Sequence, residues 1–285
     1  MNTPDPLSSG YKPEDPTPEA FRRIIYSAYK KEGRKFPWRE NTDPWGILVS
    51  EIMLQQTQID RVVPYWKKWM EKWPSPAALD NASLMEVLKE WSGLGYNRRG
   101  RYLKECAGVI IRDFGGYVPD TPELLLKLPG IGHYTAGAIA CFAHNKPTVF
   151  IETNIRSVML HFFFPGMEGI TDRDIFPVVE KTLDLKNPRK WYWALMDYGA
   201  ALKKLNGNPN RKSAHYNKQS AFKGSLRQIR GSLVRALVSG GETDAEELFM
   251  HIDVPAKKED FYLALNALCK ESIVAESKGM YKISE

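Results

Sequence analysis

The chain has 285 residues, 43% of them apolar and 12% aromatic, which excludes a disordered polypeptide and allows a sizeable core. Forty Lys and Arg against thirty-four Asp and Glu leave a net charge of +6, which suits a polyanionic partner without identifying one. No apolar run is long enough to cross a membrane and no basic-then-apolar leader follows Met1, so an intracellular, cytoplasmic protein with no membrane partner is expected.

Residues 1–17, rich in Pro, Asp and Ser, read as a flexible tail. From Pro18 apolar residues recur at helical spacing over 20–30, 46–57, 62–73 and 101–112, with prolines between the runs. A short helix near 122–128 and another near 133–144 flank L-P-G-I-G at 128–132. Helices near 153–162, 173–183 and 188–204 complete a region spanning 18–204. From Lys203 to Arg235 the chain holds nine Lys or Arg and no acid, and 205–224 reads as a basic linker. Such a run is either a solvated linker or a strap along DNA phosphates. Residues 225–285 carry three helical runs, with Thr243 as N-cap of the second, then a hairpin turning at Lys278-Gly279. Three helices and a hairpin describe a small winged-helix-like domain, so the chain is expected to be mainly α.

The hairpin at 128–132 carries the most chemistry. Gly130 and Gly132 permit backbone angles and close approaches that a side chain would block. The helix that follows opens with exposed amides, a ready site for a phosphate. Twenty residues beyond Gly132 stands a carboxylate, Glu152, with Asn154 two positions on. A phosphate anchor followed by an acid is what is needed to hold a DNA strand and act on one sugar.

In these residues the chain resembles the helix-hairpin-helix DNA glycosylases, the superfamily that includes endonuclease III. P-W-R at 37–39, S-E-I-M-L-Q-Q-T-Q at 50–58, G-L-G-Y at 93–96 and M-D-Y-G-A at 196–200 make it most similar to the A/G-specific adenine branch. The resemblance covers roughly residues 18 to 204. It implies the helix-hairpin-helix glycosylase fold and a nucleoid-associated enzyme of base excision repair. Its partner would be double-stranded DNA containing a mispaired or damaged base, and a monomer is expected.

Cutting an N-glycosidic bond requires protonation of the leaving base and stabilisation of positive charge on the sugar. Two carboxylates in different environments can divide that work. Glu51 lies among Val49, Ile52 and Met53, where an apolar setting favours a carboxyl that keeps its proton. The resemblance makes it the acid that protonates adenine; otherwise it is an exposed helix glutamate. Glu152 matches the aspartate that stabilises the sugar cation, one methylene longer, with Asn154 in support; otherwise it is a carboxylate at a helix N-terminus. Bifunctional relatives carry a lysine at the position of Tyr134 and cut the strand through a Schiff base, which tyrosine cannot do. The resemblance therefore implies a monofunctional glycosylase that leaves an abasic site.

The same resemblance gives Trp38, Arg39, Leu54 and Asp197 to the flipped base. It gives Gln55, Gln56, Tyr96, Arg98, Gly130, Gly132, His133 and Thr135 to DNA, with Gln56 and Tyr96 as wedges in the duplex. At least one of Arg98, Arg99 and Arg101 is expected to meet phosphate. Cys106, Cys141 and Cys269 lack the four-cysteine pattern that relatives use for an iron–sulfur cluster, so no such cofactor is expected. A monovalent cation at the carbonyls of Leu126, Leu128 and Ile131 is the remaining possibility. The Nudix-like domain that usually senses 8-oxoguanine is not recognisable. Two alternatives stand beside adenine opposite guanine or 8-oxoguanine. One is the same fold excising mismatched thymine, uracil or a deaminated purine; the other is a non-catalytic lesion-binding protein.

Overall fold

The computed structural model describes residues 17–206, 210, 213 and 222–285. The expected tail, apart from Thr17, and most of the expected linker at 205–224 lie outside the described residues. In chain order come α1 (Pro18–Glu32), α2 (Pro37–Glu40), α3 (Pro44–Leu54) and α4 (Ile59–Lys72). Next are α5 (Pro76–Asp80), α6 (Leu84–Trp91), α7 (Arg98–Phe114), α8 (Pro122–Leu125) and α9 (His133–His144). They are followed by α10 (Thr153–Phe163), α11 (Asp172–Thr182), α12 (Pro188–Asn206) and α13 (Leu226–Gly240). The chain ends with β1 (Thr243–Asp244), α14 (Ala245–His251), α15 (Lys258–Lys270), β2 (Val274–Ser277) and β3 (Met280–Ile283). The protein is mainly α with a small C-terminal sheet. Among the described residues no helix is long and apolar enough to cross a membrane.

Two compact units divide the chain. The first takes the described parts of 1–44, 120–126 and 131–218; the second takes 45–119, 127–130 and the described parts of 219–285. In the first, Phe21 of α1 is fully buried and meets Phe162, Phe163 and Trp191 edge-on at 5.1, 5.0 and 5.6 Å. This aromatic cluster joins α1, α10 and α12. In the second, Trp69 lies 4.5 Å from Trp73 and 5.4 Å from Trp91, ring centre to ring centre. Trp45 and Trp66 donate their indole N–H to the carbonyls of Trp73 and Gly46 at 3.1 and 2.8 Å, so these large rings are buried with their polar atoms satisfied.

Local signals explain many boundaries. Ser83 and Glu86 form a reciprocal capping box at the start of α6, and Thr171 and Asp174 form another at α11. The apolar pattern predicts a helix through 57, but α3 ends at Leu54, because Gln56 takes a left-handed φ of 56° and a buried arginine claims the carbonyls. That arginine is Arg99. Its Nη1 donates to the carbonyls of Ile52, Met53 and Gln55 at 2.9, 2.8 and 2.6 Å. Its Nη2 donates to Thr57 Oγ1 and to the carbonyls of Leu94 and Gly95 at 3.0, 3.3 and 3.0 Å. Burial pushes its pKa down to about 10, which leaves it a cation at neutral pH.

The C-terminal elements form an antiparallel sheet of order β1-β3-β2, with Thr243 opposite Tyr281 and Val274 opposite Ile283. The hairpin turns at Lys278 and Gly279, both at positive φ (52° and 79°), as a two-residue turn requires. The helices α13, α14 and α15 pack with this sheet. Their apolar cluster, centred on Leu233, Phe261 and Leu265, also takes in Leu84 and Leu88 of α6. Thr243 is not the N-cap of α14. Asp244 is, accepting from the amides of Glu246 and Glu247 at 2.9 Å each, because pairing with Tyr281 holds Thr243 in β1.

Lysine offers three donors on one atom where Arg99 spans six acceptors. Arg99→Lys is expected to lower the unfolding free energy by about 2–4 kcal/mol, at roughly 1 kcal/mol per lost buried bond. A urea titration followed by tryptophan fluorescence measures it.

Candidate active site

In the first unit the carboxylate of Glu152 is the N-cap of α10. Its Oε1 accepts from the backbone amides of Asn154 and Ile155 at 2.7 and 2.9 Å. Its Oε2 accepts from Asn154 Nδ2 and Thr153 Oγ1, both at 3.1 Å. The extra methylene of glutamate lets the side chain fold back over the helix start, and four donors fix its orientation. Asn154 also accepts at Oδ1 from Lys203 Nζ of α12 at 2.9 Å. Burial pulls the Lys203 ammonium pKa below its ordinary value, and the charge of Glu152 opposes that shift.

Lys203 reaches Asn154 because α12 comes very close to α10. A Cβ on Gly199 would collide with the backbone carbonyl of Asn154. Lys203 lies one helical turn beyond Gly199, on the same face. Asn210 closes the same helix start from another side, donating to Thr153 O and Ser157 Oγ at 2.9 and 2.7 Å. Sequence reading missed Lys203 because it counted the residue only with the basic run. The Gly199–Lys203 spacing was the available signal.

Asp197, 8% exposed, sits on another face of α12. Its Oδ2 accepts from the amide of Arg34 at 2.8 Å and from Arg39 Nη1 at 2.9 Å. Its Oδ1 accepts from Arg34 Nε and Arg39 Nη2 at 2.8 and 3.0 Å. Both oxygens are therefore engaged by two arginines, and Arg34 is a partner that sequence reading did not single out. The Arg39 guanidinium lies over the rings of Phe36 and Trp193, at 5.0 and 5.4 Å. Trp38 is buried and stacks on Phe36 at 5.3 Å. Trp38, Arg39 and Asp197 thus come together as one braced cluster around α2.

At the hairpin, α9 starts at His133 with Gly132 as N-cap and no side-chain cap bond. Tyr134 is half-buried, edge-on to Phe150 at 5.9 Å. His133 is exposed, whereas Thr135 is buried in the helix packing. Gly130, at φ 73°, would place a Cβ 2.5 Å from the Tyr102 ring, so glycine is required there. The same expectation fails for Gly132. Its φ of −96° suits any residue, and the space a Cβ would occupy is open.

In the second unit Glu51 is 5% exposed within α3, where every residue from Trp45 to Met53 is buried. Leu54 and Gln55 are half-buried where α3 ends, and Gln56 is exposed beyond them. Gln55, Gln56, Tyr96 and Arg98 line one cavity. Tyr96 holds a left-handed φ of 50° and accepts from Arg227 of α13 at 2.7 Å. Of the three arginines expected to offer one to phosphate, Arg99 is spent inside the fold. Arg101 bonds Glu105 and the carbonyl of Glu271, and Arg98 stays exposed.

The cysteines do not fit an iron–sulfur cluster, which takes four thiolates where this sequence has three. Cys106 and Cys141 are buried, and the Cys106 thiol, pushed well up by burial, donates to Pro129 O at 3.0 Å. Among the described residues no three His, Cys, Asp or Glu gather as a metal-binding group.

Residues 49–176 match the HhH-GPD superfamily of base excision DNA repair proteins. The chain is 49% identical over 132 residues to the adenine DNA glycosylase of Mycobacterium tuberculosis (strain ATCC 25618 / H37Rv), covering 46% of this chain and 43% of that protein. It is 34% identical over 191 residues to the adenine DNA glycosylase of Buchnera aphidicola subsp. Baizongia pistaciae, covering 66% of this chain and 54% of that one. A solved thermostable thymine-DNA glycosylase superposes with a TM-score of 0.60 at 30% identity, covering 64% of this chain and 86% of the other. The chain thus spans about half the length, or less, of these curated adenine glycosylases.

Gly199→Ala is expected to push α12 off the first turn of α10 and to cost about 1–3 kcal/mol, as overpacking does. A lower thermal midpoint by circular dichroism checks this.

Proposed function

The chain belongs to the HhH-GPD superfamily of base excision DNA repair proteins, and from that premise we propose that it is a monofunctional DNA glycosylase. Its substrate is adenine mispaired with guanine or 8-oxoguanine in double-stranded DNA, and its product is an abasic site. The observation that carries this reading is the contrast between two carboxylates: Glu51 in an apolar helix, and Glu152 held by four donors at a helix start. The names of its curated relatives support adenine as the base.

In this reading Glu51 gives its proton to a ring nitrogen of the flipped adenine. The bond from C1′ to the base then breaks, and its electrons leave with the base. The carboxylate of Glu152 lowers the energy of the positive charge left on the sugar. Water adds to C1′, and the proton it releases returns to the Glu51 carboxylate, which restores the acid. Asn154 and Lys203 act as positioning residues that set the direction of Glu152. Tyr134 offers no amine, so the product stays unbroken until alkali is added.

By resemblance Trp38, Arg39, Leu54 and Asp197 are the residues that meet the base, and within the first unit Asp197 also braces Arg39. Gly130, Gly132, His133 and the amides that open α9, including that of Thr135, receive a phosphate of the target strand. Gln55, Gln56 and Tyr96 fill the space the base leaves, and Arg98 meets backbone phosphate. No iron–sulfur cluster enters the scheme.

A second reading, the same chemistry on thymine mispaired with guanine, is favoured by the likeness to the thymine-DNA glycosylase. Single-turnover cleavage of end-labelled duplexes separates the two. Adenine would be placed opposite 8-oxoguanine, guanine, cytosine or thymine, and thymine opposite guanine, each with and without alkali. Alkali-dependent cleavage at adenine is expected, slowed about 10²–10⁴-fold by Glu51→Gln, the usual range for losing a general acid. Cleavage at thymine alone would move the assignment to that base. No cleavage of any duplex, with lesion binding retained, would leave a non-catalytic protein.

Aspartate is a good N-cap, so Glu152→Asp should fold, with kcat lowered roughly 10- to 100-fold because its carboxylate falls one methylene short, whereas Glu152→Gln should lose activity. Lys203→Met is expected to lower kcat by roughly 10- to 100-fold with little change in KM, since small misplacements of a reacting group are costly. Borohydride should trap no covalent complex with any of these proteins.

A further inference from the structure

The second unit holds a cavity of about 1690 Å³ that the scheme above uses only at one edge. It exceeds the roughly 300–1,000 Å³ of pockets that enclose a small ligand. One wall is built from 55–58 and 92–99, and the other from α13 with Phe222, Leu263 and Ala264. Seven Lys and Arg side chains line it against a single acid, Glu271. Part of that charge is engaged: Arg99 is held by six acceptors inside the fold, Arg61 bonds the carbonyl of Gly93, Arg230 and Arg98 pair with Glu271, and Arg235 pairs with Asp253. The lining keeps a net positive charge, with Lys89 and Arg227 outside these ion pairs. It also presents apolar surface to solvent, with Phe222 60% exposed and Leu263 56% exposed. Arg227 ties the two walls together, bonding Tyr96 Oη at 2.7 Å with its guanidinium 5.7 Å from the ring centre.

A cationic groove with exposed rings suits an unpaired nucleic-acid strand, with phosphates on guanidinium groups and bases on ring faces. An acidic peptide would answer the charge but leave the rings unused. We propose that this cavity is a second DNA site, which takes an unpaired stretch of strand between α13 and the 93–99 turn. Arg227 grips its backbone, and Phe222 and Tyr96 stack its bases. The choice of DNA as the polymer rests on the glycosylase reading; the groove itself does not. Because Arg227 also holds Tyr96, strand entry here is coupled to the residue assigned as a wedge.

The test is fluorescence anisotropy with a labelled short oligothymidylate, which holds no adenine and is read whether or not the protein cuts any base. Arg227→Gln combined with Phe222→Ala is expected to weaken binding about tenfold and to reduce the salt slope by about 1. Phe222→Ala alone, at an exposed position, should weaken it about threefold while leaving the melting curve unchanged. Lys31→Gln, which removes one exposed charge from α1, should leave binding within twofold. An oligomer carrying 5-iododeoxyuridine should photo-crosslink to Phe222, which has no place in the scheme for the flipped base. Equal loss in the Lys31 variant, crosslinks confined to other peptides, or equally tight binding of poly-glutamate would overturn the proposal. A cavity that binds DNA as described in a protein that makes no abasic site would leave the proposal standing and sink the glycosylase reading.

Discussion

One buried guanidinium organises the second unit. Arg99 takes three carbonyls at and just beyond the end of α3 and two from the turn before α7, so two segments about forty residues apart are held by one planar group. A helix end leaves its last carbonyls without partners, and a cation is the best donor for them. Lysine could not span that set, because its donors share one atom. The left-handed backbone of Gln56 and Tyr96 follows from this constraint, since each lies beside a segment whose carbonyls are already committed. Glu51 then sits in a helix whose far end cannot fray.

The first unit uses α12 in a comparable way. One face of this helix approaches α10 at Gly199 and delivers Lys203 to Asn154, which in turn orients Glu152. Another face carries Asp197, whose two oxygens lock Arg34 and Arg39 and so brace α2. Both arrangements place charged groups in partly buried surroundings and give them hydrogen-bond partners, which lowers the cost of burying charge. Side chains that touch no reacting atom thereby fix the ones proposed to do so.

Much was legible in the linear chain. The helical spacing and proline punctuation found most of the long helices. L-P-G-I-G gave the hairpin, with Gly130 required as expected. Four motifs gave the superfamily. Short elements were harder: α2, α5 and α6 are too brief for periodicity to separate from loop; α5 and α6 are set by the serine caps Ser75 and Ser83, and α2 opens at Pro37 without a side-chain cap. Thr243 looked like a cap because its hydroxyl suits one, but strand pairing with Tyr281 shifted the role to Asp244. Gly132 looked obligatory beside Gly130, yet its backbone and its surroundings would accept a side chain.

The sequence by itself determined the helical class and the hairpin, and offered Glu51 and Glu152 as the candidate carboxylates, because these readings depend on residue type and short spacing. Tertiary structure decided which charges are spent inside the fold. Arg98, Arg99 and Arg101 are nearly adjacent in the chain, yet one is exposed, one is a buried brace and one is paired with its own helix. Lys203 looked like one more surface cation until α12 carried it to Asn154. A charged side chain can reach several angstroms in many directions, so its partner is set by packing of distant segments and not by its neighbours in sequence.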